Sequence, residues 1–511
     1  MKTPQMNKGK VYIVGAGPGD PGLLTLNGLD SLQSADVILY DRLVDQSVLD
    51  FVSSNAEIIY VGKLPGYCHN PQTEINNLLV SKAKQGKIVV RLKGGDPFVY
   101  GRGSEEASIL NSEDIPFEII PGVSSVTGVP AYAGIPLTHR GISSSFTVIS
   151  GHESSSNPES NIDWESLAKN NGTLVILMGA DNINEITDKL ILNGKPAETP
   201  VALISHGTKN TQRTISSTID NINKFSKECS IESPMIMIVG NVVSLRKTLQ
   251  WFDNRPLFGK RILITRPHGQ STKLSQLLSE RGAIPIVIPT IAIEQLSDYD
   301  KLDNSLKNLH YYDWIIFTSS NAIDIFFERL RAIGLDSRAL NGVSVATIGP
   351  STSNSLQRHG ISVDFSPQTF TSAGIVNELS SGIHPGDEVL LPQSDISGDL
   401  LNDGLRDMGV SVDNITVYKT RTEVGSKTKI HEILNSGADV VTFTSASSVK
   451  NISDLLNDNI NQLSDMIVAC IGPTTAAAAA KIGLEVDIIG EEFTINGLTD
   501  ALEAHFDSKD M

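Results

Sequence analysis

The sequence predicts an α/β protein built from two consecutive units, and three observations carry this prediction. Short apolar segments that suit buried strands alternate along the 511 residues with stretches that suit helices, which is the pattern of α/β folds. Glycine-rich segments follow several of these strands, at the end where open α/β sheets bind ligands. The second half of the chain repeats its own motifs, which indicates two similar half-domains.

The first predicted strand, residues 11–14, leads into the segment GAGPGDPGLLT. A strand followed by glycines can form a dinucleotide-binding turn, and Asp41, after the next predicted strand at residues 37–40, could then bind the ribose. The prolines argue against this interpretation, because Pro18 and Pro21 remove two of the N–H donors that a pyrophosphate needs. We expect the helix to begin near Leu23, and a nicotinamide-dependent oxidoreductase remains an alternative.

The most polar of these loops follows the apolar strand at residues 88–92 and reads GGDPFVYGRGSEE. Its glycines let the backbone approach a ligand closely, and Asp96 fixes a turn with the proline after it. Arg102 stands among the glycines, with two carboxylates just beyond it. An ordinary connecting loop would have the same composition, but two more segments share its character, PGVSSVTGVPAYAGIPLTHR at residues 121–140 and TPVALISHGT at residues 199–208.

Taken in order, these four loops are similar to those of the uroporphyrinogen-III C-methyltransferases, in the tetrapyrrole methylase superfamily. The resemblance covers a unit that we assign to residues 10–250. It implies a two-lobed α/β fold, S-adenosylmethionine as the methyl donor and a homodimer. It also implies the addition of methyl groups at two positions of uroporphyrinogen III, which gives precorrin-2 on the route to siroheme and cobalamin.

The same resemblance implies roles for individual residues. Asp41, in the segment YDRL, is the matching proton acceptor, although a strand-end cap is the simpler alternative. Lys63, in the segment VGK, is the matching proton donor or carboxylate anchor, and its alternative is a solvated lysine. The positions that the family uses to bind the donor are Pro18, Gly94, Gly95, Asp96, Val99, Ser124, Ser125, Met178 and Gly207. The methionine could also be a core residue at the end of a strand.

The substrate carries carboxylates, which prefer planar arginine or the point charge of lysine. The basic side chains that we assign to the substrate are Arg42, Arg102, His139 and Arg140. The last two could instead only close a turn. After Lys63 the sequence departs from the family, because Leu64 and Cys68 replace its usual arginine and histidine, and His69 comes one place late. Either this histidine substitutes or the anchor is absent; two adjacent residues supply at most half a zinc shell, so we predict no metal site.

The second unit follows a linker at residues 251–258 and contains an internal repeat. The segments FTSS and FTSA begin at Phe317 and Phe443, 126 positions apart. The segments IGPST and IGPTT recur at a spacing of 123 positions, and so does a Phe-Thr pair that is followed by a glycine. Half-domains of this size, with hydroxyl-rich loops after their strands, form a cleft.

With the opening ILITRP and the segment ITVYKT, these repeats resemble uroporphyrinogen-III synthase over residues 259–511. The family implies one lobe from 259–290 plus 421–511, and another from 291–420. It implies closure of hydroxymethylbilane with inversion of its last pyrrole and loss of water. Tyr418 matches the candidate acid, or is an ordinary strand-end tyrosine with a satisfied hydroxyl. The loop hydroxyls that we assign to the substrate are Thr352, Ser445 and Thr475. Turn chemistry alone would also explain them, and a non-catalytic tetrapyrrole-binding module is the alternative for this unit.

Composition narrows the setting further. The formal net charge of −17 argues against nucleic acid or an anionic membrane as partner, and requires any site for a polycarboxylate to be locally basic. No apolar run is long enough to span a bilayer, and the start of the chain lacks the apolar core of a secretory signal. Three scattered cysteines suit neither a disulfide framework nor a zinc site, so we expect a reducing cytoplasm.

Overall fold

The computed structural model describes residues 9–62, 72–153, 162–229, 231–266, 268–289, 291–380, 382–422, 426–457 and 459–507. The chain divides into two compact units. The first comprises Met1–Arg261, Gln276–Ile284 and Leu502–Met511, and the second Ile262–Ser275 and Pro285–Ala501. Both units are α/β, as the sequence predicts. None of the helices in the described ranges is both long and apolar enough to cross a bilayer.

The first sheet of the first unit is parallel throughout. Its strands are β1 (Lys10–Gly15), β2 (Val37–Tyr40), β3 (Glu57–Tyr60), β4 (Ile88–Lys93) and β5 (Phe117–Ile120), in the order β3-β2-β4-β1-β5. The helices α1 (Leu26–Ser34), α2 (Gln72–Lys84) and α3 (Gly103–Ser112) connect them. Alternate residues of β1 enter opposite apolar layers, since Val11 and Ile13 join one cluster and Val14 another. Burial on both faces explains why the strands are continuously apolar.

The second sheet of this unit is mixed, and only its first two strands are parallel. The strands are β6 (Phe146–Ser150), β7 (Thr173–Leu177), β8 (Pro200–Ser205), β9 (Arg213–Thr218) and β10 (Met235–Val239), in the order β6-β7-β10-β8-β9. The helices of this part are α4 (Ser125–Tyr132), α5 (Trp164–Lys169), α6 (Ile183–Leu192), α7 (Ile222–Glu228) and α8 (Arg246–Leu249). Serines, an asparagine and a proline in residues 153–160, after β6, predict an exposed loop, and this stretch lies almost entirely outside the described residues.

The helix after the first glycine loop begins later than predicted. The expectation was Leu23, but Pro21–Leu23 forms a single 3-10 turn and α1 begins at Leu26. The reason is local capping: Asp20 accepts the N–H of the residue two positions on at 2.8 Å, and Thr25 then caps α1 by accepting an N–H at 3.1 Å. The glycines therefore do not lead directly into a helix, unlike the turn that binds a pyrophosphate.

The second unit holds almost all of two further five-stranded sheets. Their strands are β11 (Arg261–Ile264), β12 (Ile284–Val287), β13 (Ile291–Gln295), β14 (Trp314–Phe317), β15 (Ser344–Thr347), β16 (Glu388–Ser394), β17 (Ser411–Thr422), β18 (Val440–Phe443), β19 (Ile467–Cys470) and β20 (Ile488–Ile489). One sheet has the order β12-β11-β18-β19-β20 and the other β13-β17-β16-β14-β15. The helices are α9 (His268–Glu280), α10 (Asp300–Lys307), α11 (Ser320–Ala332), α12 (Pro350–Arg358), α13 (Ser372–Leu379), α14 (Leu400–Asp407), α15 (Ser426–Ser436), α16 (Ala446–Leu455), α17 (Pro473–Lys481) and α18 (Ile495–Asp507).

The internal repeat occupies equivalent places in these two sheets. Phe317 ends β14 and Phe443 ends β18. Ser319 and Ser445 then cap α11 and α16, each accepting a backbone N–H three residues on, at 3.1 and 3.2 Å. The two IGP segments follow β15 and β19 and begin α12 and α17 with a proline in the first turn, where a missing N–H costs nothing. The repeated motifs therefore mark strand-to-helix turns at the carboxyl edge of each sheet.

Candidate functional site

Three glycine-rich loops meet at the carboxyl ends of β1, β4 and β5. A Cβ on Gly15 would lie 2.5 Å from the nitrogen of Gly122 and 2.6 Å from the carbonyl oxygen of Gly95, so no side chain fits there. Gly17 and Gly95 also exchange backbone hydrogen bonds of 2.7 and 3.3 Å. Asp96 fixes the junction, because its Oδ2 accepts the N–H of Gly122 at 3.1 Å. The loops thus form one backbone-lined surface.

Gly95 borders an open space beside this junction. Its φ is +66°, a conformation that favours glycine, and an ideal Cβ would have only the nitrogen of Ser125 within 4 Å, at 3.6 Å. Ser125 is the first residue of α4, and Ser124 caps the helix by accepting the N–H of Val126 at 3.2 Å. The space is therefore bounded by glycine backbone and by the first turn of a helix, whose N–H groups suit a polar ligand.

Two other predicted donor-binding positions pack on the same helix. Pro18 lies beside Gly128, where an ideal Cβ would be 3.0 Å from the proline Cγ. Gly207, after β8, lies against Val129, and a Cβ on it would be 2.6 Å from a valine methyl carbon. Helix α4 therefore contacts the loops after β1 and β8, and its N-terminus borders the open space beside Gly95. We call the surface formed by the loops after β1, β4 and β5 together with the start of α4 the cradle.

Of the remaining donor-side positions, Gly94 and Val99 belong to the second loop and Met178 follows β7. Gly94 touches the turn after β2, where an ideal Cβ would be 2.8 Å from the Cβ of Leu43. The N–H of Val99 donates to the carbonyl oxygen of Asp96 at 3.3 Å, and its side chain is exposed. Met178 directly follows β7 and is 52% exposed, which does not match a core methionine. As contacts of the methyl donor, these positions stay a prediction.

Backbone strain gathers in the same loops. Among the residues that the structure describes, seven other than glycine have a positive φ. Four of these lie in the predicted loops, namely Tyr100, Arg102, His206 and Thr208, and a fifth is Met178, directly after β7. Each such conformation costs of the order of 1–2 kcal/mol, and strain of this kind concentrates at binding and catalytic sites.

The loop after β8 also closes on the first glycine loop through polar contacts. Thr208 Oγ1 accepts the N–H of Asp20 at 3.0 Å, and Lys209 forms an ion pair of 2.6 Å with Asp45 in the turn after β2. Burial opposes ionisation of Asp45, but hydrogen bonds from Lys209 and Ser47 outweigh it, so the pKa of Asp45 is lowered. Burial, and next the charge of Lys209, lowers the pKa of His206, so its imidazole is neutral at neutral pH.

Asp41 lies just after β2, and a buried arginine orients it. Oδ2 of Asp41 accepts a hydrogen bond from Arg91 Nη2 at 3.1 Å, and Oδ1 accepts the N–H of Leu43 at 3.2 Å. Arg91 is 3% exposed and is itself anchored, because Nε donates to Oε1 of Glu106 and Nη1 to the carbonyl oxygen of Leu92, both at 3.0 Å. The Asp41 carboxylate is therefore held in one orientation while about a quarter of its side chain, 26%, stays open to solvent.

Lys93 completes this buried cluster, which the sequence analysis missed. Its Nζ donates to the same Oε1 of Glu106 at 3.0 Å, and Oε2 of this fully buried carboxylate has no hydrogen-bond partner within the described part of the chain. Burial lowers the pKa of Lys93, the positive charge of Arg91 adds to this effect, and Glu106 opposes it. The sequence does contain a signal for this cluster, because Arg91 and Lys93 stand two positions apart in an apolar strand. Two such charges on one face of a buried strand require an acidic partner elsewhere in the fold.

The basic residues assigned to the substrate are all exposed, but they differ in their partners. Arg102 pairs with Glu105 of its own helix through hydrogen bonds of 2.9 and 2.7 Å, so a substrate carboxylate would have to displace this glutamate. His139 closes a turn as the alternative expected, because its N–H donates to the carbonyl oxygen of Ser143 at 2.9 Å. Its Nδ1 lies 2.9 Å from the carbonyl oxygen of Arg140. Lys63 lies outside the described residues, together with Leu64, Cys68 and His69.

In the second unit, Tyr418 lies in β17 and is only 6% exposed. Its hydroxyl is 3.0 Å from Oγ of Ser319 and so has a hydrogen-bond partner, as the alternative of an ordinary strand-end tyrosine requires. Thr352 and Thr475 occupy the same place in α12 and α17, and both are buried. Ser445, which caps α16, is half-buried. The repeat therefore brings its hydroxyls to the carboxyl edges of the two sheets, with the serine the more accessible.

A further cation at these edges is Arg266, which the sequence analysis includes only as part of the segment ILITRP. Arg266 follows β11, the strand next to β18, so it lies at the edge that also holds Ser445. Burial lowers the pKa of its guanidinium. Arg266 is half-buried, and an arginine at the carboxyl end of a parallel strand suits a carboxylate ligand. In the described ranges no group of three or more histidine, cysteine, aspartate or glutamate side chains is arranged to hold a metal ion.

Comparison with protein families gives two matches along the chain. The model described as Tetrapyrrole (Corrin/Porphyrin) Methylases matches residues 10–223, and the model described as Uroporphyrinogen-III synthase HemD matches residues 272–500.

Individual relatives cover the chain in different ways. The Porphyrin biosynthesis protein HemD of Ruminiclostridium josui is 37% identical over 498 residues, which is 97% of this chain and 98% of that protein. The S-adenosyl-L-methionine-dependent uroporphyrinogen III methyltransferase of Methanosarcina barkeri is 51% identical over 243 residues, 48% of this chain and 95% of that protein. A crystal structure of uroporphyrin-III C-methyl transferase from Thermus thermophilus, complexed with S-adenyl homocysteine, is 36% identical and covers 46% of this chain and 100% of that one, with a TM-score of 0.40.

Proposed function

This chain belongs to the family of porphyrin-biosynthesis proteins that join a tetrapyrrole methylase to a uroporphyrinogen-III synthase, and we propose that it carries both activities. Its second half cyclises hydroxymethylbilane to uroporphyrinogen III. Its first half methylates that product twice with S-adenosylmethionine, which gives precorrin-2 for siroheme or cobalamin. The observation that carries the proposal is that both family matches lie in one chain, so the product of one half is the substrate of the other. Because the chain belongs to this family, the nicotinamide-dependent oxidoreductase is no longer an alternative for its first half.

The donor site that we propose is the cradle formed by the loops after β1, β4 and β5. The fit is supported by the open space beside Gly95, which any side chain would fill, and by the N-terminus of α4, where the backbone nitrogen of Ser125 borders that space. Bound S-adenosylmethionine supplies an electrophilic methyl group on a sulfonium. The protein's part is to position the two reactants, so a site that is rigid and made of backbone suits the task. The exposed Met178 and Val99 would line its outer side.

We propose Asp41 as the group that removes a proton from the macrocycle. A general base has to reach its substrate, and the side chain of Asp41 is partly open to solvent. Its second requirement is a fixed direction, which the anchored Arg91 provides. Arg42, next in sequence and exposed, is suited to bind a carboxylate of the same substrate, as is Arg102 once it leaves Glu105. Lys63 stays a proposal from the family alone.

For the synthase half, the proposed site is the set of loops at the carboxyl edges of its two sheets. Ser445 and the helix N-termini of the repeat would bind carboxylates of the linear substrate, and Arg266 adds a positive charge. Tyr418 is proposed as the acid that assists departure of the hydroxyl group, in exchange for its bond to Ser319. Thr352 and Thr475 stay proposed as substrate-binding residues, from buried positions in the first turns of α12 and α17.

Three features of the whole protein belong to the same proposal. The functional boundaries would be residues 10–250 for the methylase and 259–511 for the synthase, joined by the segment that includes Trp251. The methylase half would form a homodimer, as its relatives commonly do. The site of action would be the cytoplasm, where a protein with three scattered cysteines and a strong net negative charge is at home.

One experiment tests both activities on the full chain. Hydroxymethylbilane is supplied with and without S-adenosylmethionine, and the products are separated by isomer type and by mass. We expect the type III isomer without the donor and a dimethylated product with it. Hydroxymethylbilane also closes spontaneously without inversion. Type I product alone, from folded protein that still methylates added uroporphyrinogen III, would therefore favour a non-catalytic tetrapyrrole-binding second half.

A further inference from the structure

We infer that two exposed phenylalanines, Phe370 and Phe493, determine specificity in the synthase half, each offering its ring to a pyrrole of the linear tetrapyrrole. The inference rests on the proposed synthase function and adds a recognition element to it. The two residues are equivalent positions of the internal repeat, 123 positions apart. The sequence analysis used them only as markers of that repeat.

Both rings are presented to solvent instead of being packed in a core. Phe370 is 58% exposed and Phe493 is 66% exposed. Burying a phenyl side chain fully is worth about 1.5–3 kcal/mol, so an exposed ring forgoes much of this stabilisation. A single exposed apolar residue needs no explanation, but the same exposure at both copies of one repeat position indicates a common use.

Each ring is held in place by a glycine at the carboxyl edge of its sheet. A Cβ on Gly349, after β15, would lie 3.2 Å from Cγ of Phe370. A Cβ on Gly472, after β19, would lie 2.8 Å from Cδ1 of Phe493. Both glycines have extended backbones, with φ of 174° and −175°, which any residue can adopt. Space for the ring, and not backbone conformation, is therefore what glycine provides in both copies.

The surroundings of each ring suit a pyrrole that carries carboxylates. An aromatic face binds the flat, apolar body of a pyrrole. The glycine under each ring also caps α12 or α17. Each helix begins with a proline, which has no N–H, and the glycine carbonyl accepts the N–H of Thr352 or Thr475 at 3.1 Å. This leaves the N–H of Ser351 and that of Thr474 as the first-turn donors for an anion at the positive end of each helix. An apolar face and a positive helix end thus lie together, which is the combination that a ring bearing acetate and propionate groups requires.

A structural role has to be separated from this one. Each phenylalanine directly precedes a capping threonine, because Thr371 and Thr494 accept N–H groups of α13 and α18 at 3.0 Å. An apolar residue before an N-cap commonly packs on the first turn of the helix as a hydrophobic staple. A staple requires only an apolar side chain, so leucine preserves it, whereas pyrrole binding requires a ring.

The test uses the full chain with Phe370→Leu, Phe493→Leu and the double variant. Tyr311→Leu is the matched control, since Tyr311 is 67% exposed but lies before β14, at the opposite edge of its sheet. We measure KM and kcat for hydroxymethylbilane, the ratio of type III to type I product, and Tm. We expect KM to rise about 2- to 10-fold per ring, with a lower type III fraction and little change in Tm, while the control matches the wild type.

Wild-type KM and isomer ratio in the double leucine variant would overturn the inference. Phe370→Tyr and Phe493→Tyr keep the aromatic face and should keep KM, which decides the matter even if leucine destabilises the fold. A tyrosine variant with a raised KM and an unchanged Tm would also overturn it. Failure of the proposed function is a separate result, because wild-type protein would then give type I product before any variant is compared.

Discussion

Replacing Asp41 by asparagine separates its chemical role from its structural one. The substitution keeps the volume of the side chain, and the amide oxygen can still accept the hydrogen bond that Arg91 donates at 3.1 Å. It removes a negative charge next to a buried guanidinium that retains its bonds to Glu106 and to main-chain carbonyls, and it removes the second oxygen, which accepts the N–H of Leu43. A bond to a charged partner contributes roughly 1 kcal/mol more than a neutral one. Because the Asp41 side chain is partly exposed, we expect the loss of stability to be about 1–2 kcal/mol.

The effect on catalysis should be larger than the effect on stability. Loss of a positioned acid or base lowers turnover about 10²- to 10⁴-fold, which corresponds to roughly 3–5 kcal/mol of barrier. The measurements are kcat for methylation of uroporphyrinogen III, Kd for S-adenosylmethionine by calorimetry, and Tm. We expect Kd to stay within about twofold and Tm to fall by a few degrees.

A matched control is available in the same half of the chain. Asp253 also pairs with a largely buried arginine, Arg246, but it lies in the segment after α8 and not at the glycine loops. Asp253→Asn should therefore lower Tm without the loss of turnover. Unchanged turnover in Asp41→Asn, or an equal loss in both variants, would refute the assignment of Asp41 as the proton acceptor.

Three further predictions concern single residues. Gly95→Val should weaken donor binding at least about tenfold, because the side chain fills the space in front of Ser125. An unchanged Kd with a lower Tm would show that the loop is a structural turn and does not bind the donor. Tyr418→Phe should lower the type III fraction in part while the domain stays folded, since it removes one hydroxyl bonded to Ser319; a wild-type isomer ratio and rate would remove the tyrosine from the mechanism. Burial lowers the pKa of His206, so as pH falls below about 6.5 the unfolded chain binds a proton before the folded protein does, and folding stability declines. His206→Asn, which tolerates the φ of +47°, should therefore lose less Tm than the wild type between about pH 7.5 and about pH 5.5, and equal losses would contradict this account.

The strands were predictable because burial on both faces leaves a direct trace in the sequence. The predicted segment at residues 37–40 coincides with β2, and the one at residues 88–92 falls one residue short of β4. The missing residue is Lys93, a charged residue next to the glycines of the loop. Its partner Glu106 lies thirteen positions on in a different element, so the pairing that allows its burial cannot be read from local sequence.

The candidate site was predictable in its loops but not in its support. Glycine-rich loops can be recognised from their composition, and the structure brings Gly15, Gly95 and Gly122 into contact. Arg91 was overlooked because it stands inside an apolar strand and its bond to Asp41 spans fifty positions. For Tyr418 the motif suggests a role, but only the structure shows that its hydroxyl already bonds to Ser319.

The meeting of three backbones at Gly15, Gly95 and Gly122 also limits how this protein can be redesigned. At Gly15 and Gly122 a larger residue cannot be accommodated by shortening a neighbouring side chain, since the neighbours are already glycine backbone, and at Gly95 the φ of +66° disfavours any other residue. Directed evolution toward bulkier sulfonium donors would find no tolerated change at the junction itself. The useful library would vary the perimeter, where Val99 and Met178 have exposed side chains that can be shortened without moving the main chain.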